Sequence, residues 1–600
     1  MKYQPLKEKT PKDTIKRIKG ILKKLNIEIC ENVFGQKKIN GDNLSSLRIY
    51  LKENNKCGTN GKGSSSELAK ASAYAEFMER LQTQFLFLFS NKEYLYSPDE
   101  KIVRNTELCD NPIFKNVGEK KLLFKMNYLA NMICFDNSSK NDDVILVPFF
   151  SYKTKKIEEL PVYILSLIHG STGLSAGNTI EEALVQGMSE ICERYVQTKV
   201  INENLSLPDI PTENYMKYEK IRKMIHLLED NDFSILLKDA SIGLDLPVIC
   251  AVIIDKREDV VSIKFGSHPS LPIAIERCLT EFAQGNDIAS PQRCISFESF
   301  ISSYALNSIL KDGDINILNE KIQKGNVFIE NCEYIKEQFF DRESAFSFSE
   351  ETFLSVDKDT DNKVCLKFLM NKIKQITDEI FVRDVSFLGF PTVIITIPEM
   401  MFNINKKIEE KIDYRIKLQK YLDDGMPKFE SNIAFLLQSF ISQSNPISHS
   451  SYKSLFGIPY EHLVVLCAIF LEDFSNIKKY TEIIIKNKKS INVCKKEFIT
   501  NMVIAYKYFD MKSKGLNEEQ LMQNMQVEFS ENDVKNFKIF LNYLSYDKLK
   551  NIISKYYLSI NSDQMEKDKK FYDKVIKKIV QIYKEHCINQ ETLLDVFKDV

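Results

Sequence analysis

Net charge is the first thing this chain lacks. Its 82 lysines and arginines stand against 83 aspartates and glutamates, a formal charge of −1 over 600 residues. Nucleic-acid binders show a basic excess or a basic stripe. Here the two signs are interleaved, which describes a solvated mixed-charge surface. Long apolar runs are missing too. None approaches the roughly 20 residues that span a bilayer, and VILVPFF and PVYILSLI have the length of a strand or a buried helix. The start, MKYQPLKEKTPKDTIKR, has neither an apolar stretch nor a small-residue cleavage site, so it does not read as a signal peptide. The expectation is a cytoplasmic protein that touches neither membrane nor nucleic acid directly.

Metal-binding and redox signatures are also absent. Thirteen cysteines are spread without a C-x-x-C pair, and six histidines without H-E-x-x-H. Scattered cysteines without a secretion signal read as reduced, core-filling thiols, and a zinc site is not supported. His586–Cys587 is the one adjacent pair of soft ligands, in a helix-like tail, and reads as incidental. The phosphate-binding pattern G-x-x-x-x-G-K-[ST] does not occur; GTNGKGSS only shares its composition.

What is present falls into two parts. Strand-like runs, VILVPFFSY (144–152), PVICAVIID (247–255), VVSIKFG (260–266) and TVIITIP (392–398), alternate with helical stretches over the first 405 residues. The runs at 247–266 suit an antiparallel hairpin with DKRED as its turn. After Pro398 strand signals stop. IEEKIDYRIKLQKYLDD, YEHLVVLCAIFLEDF, NDVKNFKIFLNYLS and KFYDKVIKKIVQIYKEH carry apolar residues at helical spacing. SQSNPISHSSYKSLFGIP (442–459) reads as a connection between helices. Residues 406–600 are therefore expected to form an all-α domain, with helix-pair repeats as one arrangement, though no fixed period stands out.

One pattern occurs three times. Ala69 is followed after seven residues by Glu76, then by Glu79 and Arg80. Ala183 is followed at the same spacings by Glu190, Glu193 and Arg194, and Ala274 by Glu281 and Gln284. Each copy follows a loop rich in glycine or small residues. Positions seven apart fall almost on one line of a helix, and positions three apart are neighbours. Each copy thus presents a small residue, which lets a helix or ligand come close, and then two carboxylates or a carboxylate and a carboxamide. Paired like charges destabilise unless a cation compensates them. A single copy reads as an exposed helix with internal ion pairs; three copies after three similar loops point to one purpose. Oxygen-only donors suit magnesium, which binds one or two carboxylates plus substrate phosphates. Loops at helix starts favour anions. A nucleoside triphosphate held between helices follows, with Lys62 placed to neutralise phosphate or carboxylate charge.

At these residues the chain resembles the YcaO-domain family. The resemblance is carried by TNGKGSS-x8-A-x2-EFMERL, STGLSAGNTIEEALVQGMSEICERYV and FGSHP-x4-AIERCLTEFAQG. YQPLKEKTPKDTIKRIKGIL and NLSLPDIP are similar to the family's enterobacterial branch. It covers residues 1 to about 405 well and the rest loosely. It implies an α+β YcaO-type ATP-binding domain (1–405) followed by the helical domain (406–600). It also implies ATP and several Mg2+ ions as cofactors, and phosphorylation of a backbone amide oxygen so that a nucleophile can displace phosphate. By the same resemblance Glu76, Glu79, Glu190 and Glu193 would hold magnesium. Asn178, Glu182, Arg194, Arg277 and Glu281 would lie at the nucleotide, with Lys7 and Thr14 reaching it from the N-terminal segment. Thr14 keeps the hydroxyl of the family's serine, and Gln284 extends the set from the internal repeat. Cys192, between Glu190 and Glu193, is expected to face away from them.

The chain departs from azole-forming members, which often end in a proline-rich tail; this one ends ETLLDVFKDV, and no leader-capturing domain is recognisable. The enterobacterial branch resembles an accessory factor for β-methylthiolation of a ribosomal protein, and thioamidation and cyclodehydration stay open. The implied partners are a peptide or protein substrate, a radical-SAM methylthiotransferase, and a second copy in a homodimer. The alternative is a nucleotide-binding adaptor for such a methylthiotransferase.

Overall fold

The structure, a computed structural model, describes residues 6–33, 44–83, 99–104, 143–162, 165, 170–256, 260–283, 327–328, 342–357, 360–401, 496–546 and 577–598, with single positions between 465 and 482 and at 575. Two compact units result. One comprises Met1–Gly118, Asn141–Asn403 and Phe571–Val600; the other comprises Glu119–Lys140 and Ile404–Lys570.

The first unit opens with helix α1 (Pro11–Leu25). Thr10 caps it by accepting from the Asp13 N–H, Pro11 sits in its first turn, and Asn26 ends it in the left-handed region at φ 57°. Ile18, Leu22 and Leu25 are its buried stripe. Strands β1 (Ile29–Val33), β2 (Ser45–Leu51) and β3 (Asn54–Gly63) form an antiparallel sheet in that order. Helix α2 (Ser66–Gln82) follows, capped by Ser65, whose hydroxyl accepts from the Leu68 N–H at 3.2 Å. Next come β4 (Lys101–Arg104), β5 (Asp143–Ser151), β6 (Lys156–Leu160), β7 (Leu174–Ala176) and the long helix α3 (Ile180–Asn202). Helix α4 (Glu219–Glu229), β8 (Phe233–Asp239), β9 (Val248–Asp255), β10 (Val260–Ser267), α5 (Leu271–Ala283) and the short β11 (Val327–Phe328) continue the chain, then α6 (Asn362–Ile373), β12 (Phe381–Asp384) and β13 (Thr392–Thr396).

A second sheet has the order β4-β5-β12-β13-β7 with β6 on β5, and a third runs β11-β10-β9-β8. The four expected strands are β5, β9, β10 and β13. The expected hairpin is there: β9 and β10 pair antiparallel from Asp255–Val260 to Val248–Ser267. The main core joins α3, α6, β9, β10, β12 and β13, with Leu593 and Phe597 from the chain's end. Phe597 stacks on Phe150 at 5.6 Å between ring centroids, and the Tyr583 hydroxyl accepts from buried Arg383 Nη2 at 2.8 Å.

The second unit is described chiefly by α7 (Lys496–Ser513), α8 (Glu518–Glu528) and α9 (Glu531–Tyr546). Gly515 takes φ 84° in the link between α7 and α8, and Asn517 and Gln520 form a reciprocal cap at the start of α8. Phe498, Tyr508, Phe537 and Phe540 fill the space between α7 and α9. Among the described residues no strand follows Thr396. The connection expected at 442–459 lies outside the described residues. No described helix is long and apolar enough to cross a membrane.

Candidate ATP–magnesium site

The three copies of the alanine–glutamate pattern are three strand-to-helix units: β3 into α2, β7 into α3 and β10 into α5. Ala69, Ala183 and Ala274 are all fully buried, and something presses closely on each. A strand does. Eight residues before the alanine stands Gly61 or Gly266. A Cβ on Gly61 would collide with the Ala69 carbonyl oxygen and lie 2.6 Å from the Ala73 nitrogen; on Gly266 it would lie 2.6 Å from the Ala274 oxygen. In the middle unit Ser175 holds that position and donates its hydroxyl to the Ala183 carbonyl at 2.8 Å, while Gly177 closes on the Ala183 nitrogen. These seams fix the rotation of each helix, and so where its carboxylates project.

Helix α3 carries a polar stripe: Glu182, Gln186, Glu190 and Glu193 recur every three or four residues, over roughly 16 Å of axis. At its N-terminal end, residues far apart in sequence converge. Lys7 Nζ lies 3.1 Å from Glu182 Oε1, and the Glu8 N–H donates to Oε2 at 3.2 Å. Asn178 Nδ2 donates to the same carboxylate at 3.1 Å, and Thr14 Oγ1 donates to Asn178 Oδ1 at 2.8 Å. Burial opposes ionisation of Glu182, but Lys7, Asn178 and Glu8 outweigh it and hold its carboxyl below the ordinary range. One turn on, Gln186 accepts from Arg277 Nη2 at 2.5 Å, and Arg277 Nη1 donates to the Ser267 carbonyl at 2.6 Å.

The C-terminal half of the stripe meets α2. Arg80 lies 3.4 Å from Glu76 and 3.2 Å from Glu79, and Arg194 lies 3.7 Å from Glu193. Lys62 pairs with Glu281 of α5. Burial pushes the Glu79 carboxyl well above its usual range; Arg80 pulls it back, and Glu76 and Glu190 push it further. Glu190 is likewise raised, first by burial and then by Glu193, against Arg194. Burial brings the Lys62 ammonium down to about 8, with Glu193 and Glu76 opposing. His268 is buried, its Nδ1 accepts from the Ser270 N–H at 3.0 Å, and burial with Arg277 and Lys7 nearby keeps it neutral.

Twelve of the thirteen expected residues thus gather along α3 and the facing ends of α2 and α5. Gln284 lies outside the described residues. Arg80, Gln186, Lys264 and His268 also belong to this constellation and carried no role in the sequence; Arg80 stood beside the pattern, and Lys264 sits inside a strand run. Cys192 is buried in the main core, its thiol pushed up to about 12 by burial.

The donor set suits a hard divalent cation: oxygen only, two carboxylate pairs on two helices, and raised carboxyls that a cation would return to the charged form. Among the described residues no three or more His, Cys, Asp or Glu side chains already converge as a metal cage, and magnesium, which shares its coordination with phosphate and water, needs none.

Residues 60–401 match the family model described as YcaO cyclodehydratase, ATP- and Mg2+-binding. The chain belongs to the YcaO family. ATP and Mg2+ are the cofactors of this YcaO domain, which belongs to a family of ATP-dependent enzymes. The chain is 33% identical over 296 residues to the ribosomal protein S12 methylthiotransferase accessory factor YcaO of Escherichia coli K12, covering 48% of this chain and 50% of that one. It is 35% identical over 260 residues to an uncharacterized protein of Haemophilus influenzae, covering 41% and 44%. The chain spans about half the length of the curated relatives it matches. Among solved structures, a heterocyclase in complex with substrate and cofactor aligns with TM-score 0.46 at 18% identity, over 66% of this chain and 53% of that one. A YcaO from Methanopyrus kandleri bound with AMPPCP and Mg2+ aligns with TM-score 0.41 at 15% identity, over 66% and 93%.

Proposed function

We propose that this YcaO protein uses Mg-ATP to activate a backbone amide of a peptide or protein for modification. The observation that carries the reading is the gathering of two half-buried carboxylate pairs with a set of cations along α3. Glu76, Glu79, Glu190 and Glu193 hold magnesium. Lys7, Thr14, Asn178 and Glu182 form one end of the nucleotide site, and Lys62, Arg194, Arg277 and Glu281, with Gln284, the other. Bound Mg-ATP would supply the phosphoryl group that turns a poor amide oxygen into a leaving group. The protein's own part is positioning and charge: arginine and lysine would face the developing negative charge. No protein nucleophile is required, which agrees with Cys192 being buried in the core.

The domain division at 405/406, a cytoplasmic location, a homodimer and a peptide or ribosomal-protein substrate complete the proposal. Thioamidation, cyclodehydration and support of ribosomal-protein β-methylthiolation are its candidate outcomes. The name of the Escherichia coli relative, an accessory factor, favours a second reading: a nucleotide-binding adaptor for a radical-SAM methylthiotransferase. Calorimetry of Mg-ATP with the purified protein, beside Glu190→Gln and a metal-free control, tests the shared premise. Saturable, magnesium-dependent binding that the variant loses supports it, and equal binding by the variant overturns it. Phosphate release on adding peptide then separates enzyme from adaptor.

A further inference from the structure

Both the main chain and the side chain of Asn178 are held. Its N–H donates to Glu182 Oε2 at 3.3 Å, and its Nδ2 donates to the same oxygen at 3.1 Å. Its Oδ1 accepts from Thr14 Oγ1 at 2.8 Å, and its carbonyl accepts from Arg17 Nη1 at 3.2 Å. Thr14 and Arg17 are three residues apart on α1 and so share a face. Helix α1 therefore grips Asn178 twice, once by the side chain and once by the main chain. Arg17 is the only one of these three partners to which the sequence gave no role.

The rest of the Arg17 guanidinium is engaged elsewhere. Its Nη2 donates to the Gly389 carbonyl at 2.6 Å, and the group lies 5.4 Å from the centroid of the buried Phe390 ring. Gly389 belongs to the turn between β12 and β13, where it takes φ 86° and donates its N–H to the Ser386 carbonyl at 2.8 Å. That turn is held from other sides as well. Buried Gln82, at the end of α2, accepts from the Leu388 N–H at 2.9 Å and donates to the Phe390 carbonyl at 2.6 Å. Phe387 stacks on Tyr583 at 4.1 Å between centroids. The Pro391 carbonyl accepts from the Gly177 N–H at 3.0 Å. The turn is thus a fixed post beside residues 177 and 178, and Arg17 ties Asn178 to it.

Arg17 is exposed, and hydrogen bonds that exchange with water add little to global stability. What the residue adds is geometry. A guanidinium presents its donors as a rigid fork, whereas an ammonium is a point charge on a flexible stem. A fork can hold two carbonyls at a set separation. We propose that Arg17 is a positioning residue: it fixes the Asn178 main chain to the β12–β13 turn, and so presents the Asn178–Glu182 pair to the nucleotide in one orientation. This rests on the ATP reading above. Arg17 acts through Asn178 and does not itself touch the nucleotide.

The test is calorimetric binding of Mg-ATP to the full chain, to Arg17→Met and to Arg17→Lys, with thermal melting and amide hydrogen exchange of each without nucleotide. Both variants should bind Mg-ATP roughly three- to tenfold more weakly, the worth of a hydrogen bond, and melt with the parent. Exchange should quicken over residues 177–183 and stay as in the parent along α5. Full binding by Arg17→Lys would mean that charge alone counts and overturns the assignment, as does full binding by Arg17→Met. Weaker binding with unchanged exchange at 177–183 would put Arg17 on the nucleotide itself and overturns it too. So does a lower melting point with faster exchange throughout, which makes Arg17 a structural residue. Binding by the parent upholds the ATP reading whatever the variants do; a folded parent that binds no Mg-ATP sinks that reading, and this one with it.

Discussion

The first two strand-to-helix units and the third have the same skeleton and different side chains upon it. In α2 and α3 the positions seven and ten residues after the seam alanine are both glutamate, followed by arginine. In the third unit the second glutamate and its arginine are missing: Lys264 stands in β10, Glu276 and Arg277 follow Ala274 by two and three residues, and Glu281 is held by Lys62. Six residues before the alanine the first two units have Gly63 and Gly177; the third has His268. A repeated backbone unit has been divided between two tasks. On the proposed reading, two copies would supply carboxylates to a divalent metal, and the third would supply Arg277 to a phosphate chain.

The common skeleton is the easiest part to break. Gly61→Ala puts a methyl group into the Ala69 carbonyl, with backbone on both sides and no side chain able to yield. The expected loss is about 3 kcal/mol, read as the shift in urea midpoint. The division of tasks predicts the next effect. Glu190→Gln should cost Mg-ATP binding about 2 kcal/mol and leave thermal stability unchanged or higher, because it removes a buried like-charge contact. If the variant binds as the parent does, the anionic half of the comparison is lost. Glu281→Gln sits on the third copy and should cost binding only about 1 kcal/mol, with magnesium dependence retained; a loss as large as that of Glu190→Gln would make the third unit a metal unit after all. The smallest change is the control. Gly20, within α1, has nothing within 4 Å of an added Cβ, so Gly20→Ala should stabilise by about 0.5 kcal/mol. Opposite signs for Gly20→Ala and Gly61→Ala would separate glycines kept for room from one that is not.

Much of this was legible in the sequence because it is local. Helical spacing alone put Glu76 beside Glu79 and Glu190 beside Glu193, and β-branched runs marked β5, β9, β10 and β13. The family resemblance added Asn178, four residues before Glu182, and Lys7 and Thr14, which spacing could not join to it; Lys7 lies 175 residues away. The role of the seam alanines was only half visible: a small residue announces a close neighbour but does not say which, and here it is a strand glycine. Lys264 was hidden because VVSIKFG reads as a strand whichever face is buried. Alternation would have flagged it, since the lysine shares its face with Gly266. The apolar stripe of 570–586 similarly shows that the segment is buried, not against what; Tyr583 reaches Arg383 of β12.

The glycine seams also set the reading frame of the site. Each carboxylate pair is counted off from a backbone contact, not chosen by side-chain packing. One residue inserted between Ala69 and Glu76 would swing both carboxylates about 100° around α2 and advance them about 1.5 Å, turning them from the metal toward the core, though every original side chain is still present. The same insertion after Arg80 would leave the frame intact. Point substitutions here change strength, whereas length changes between seam and carboxylate change address.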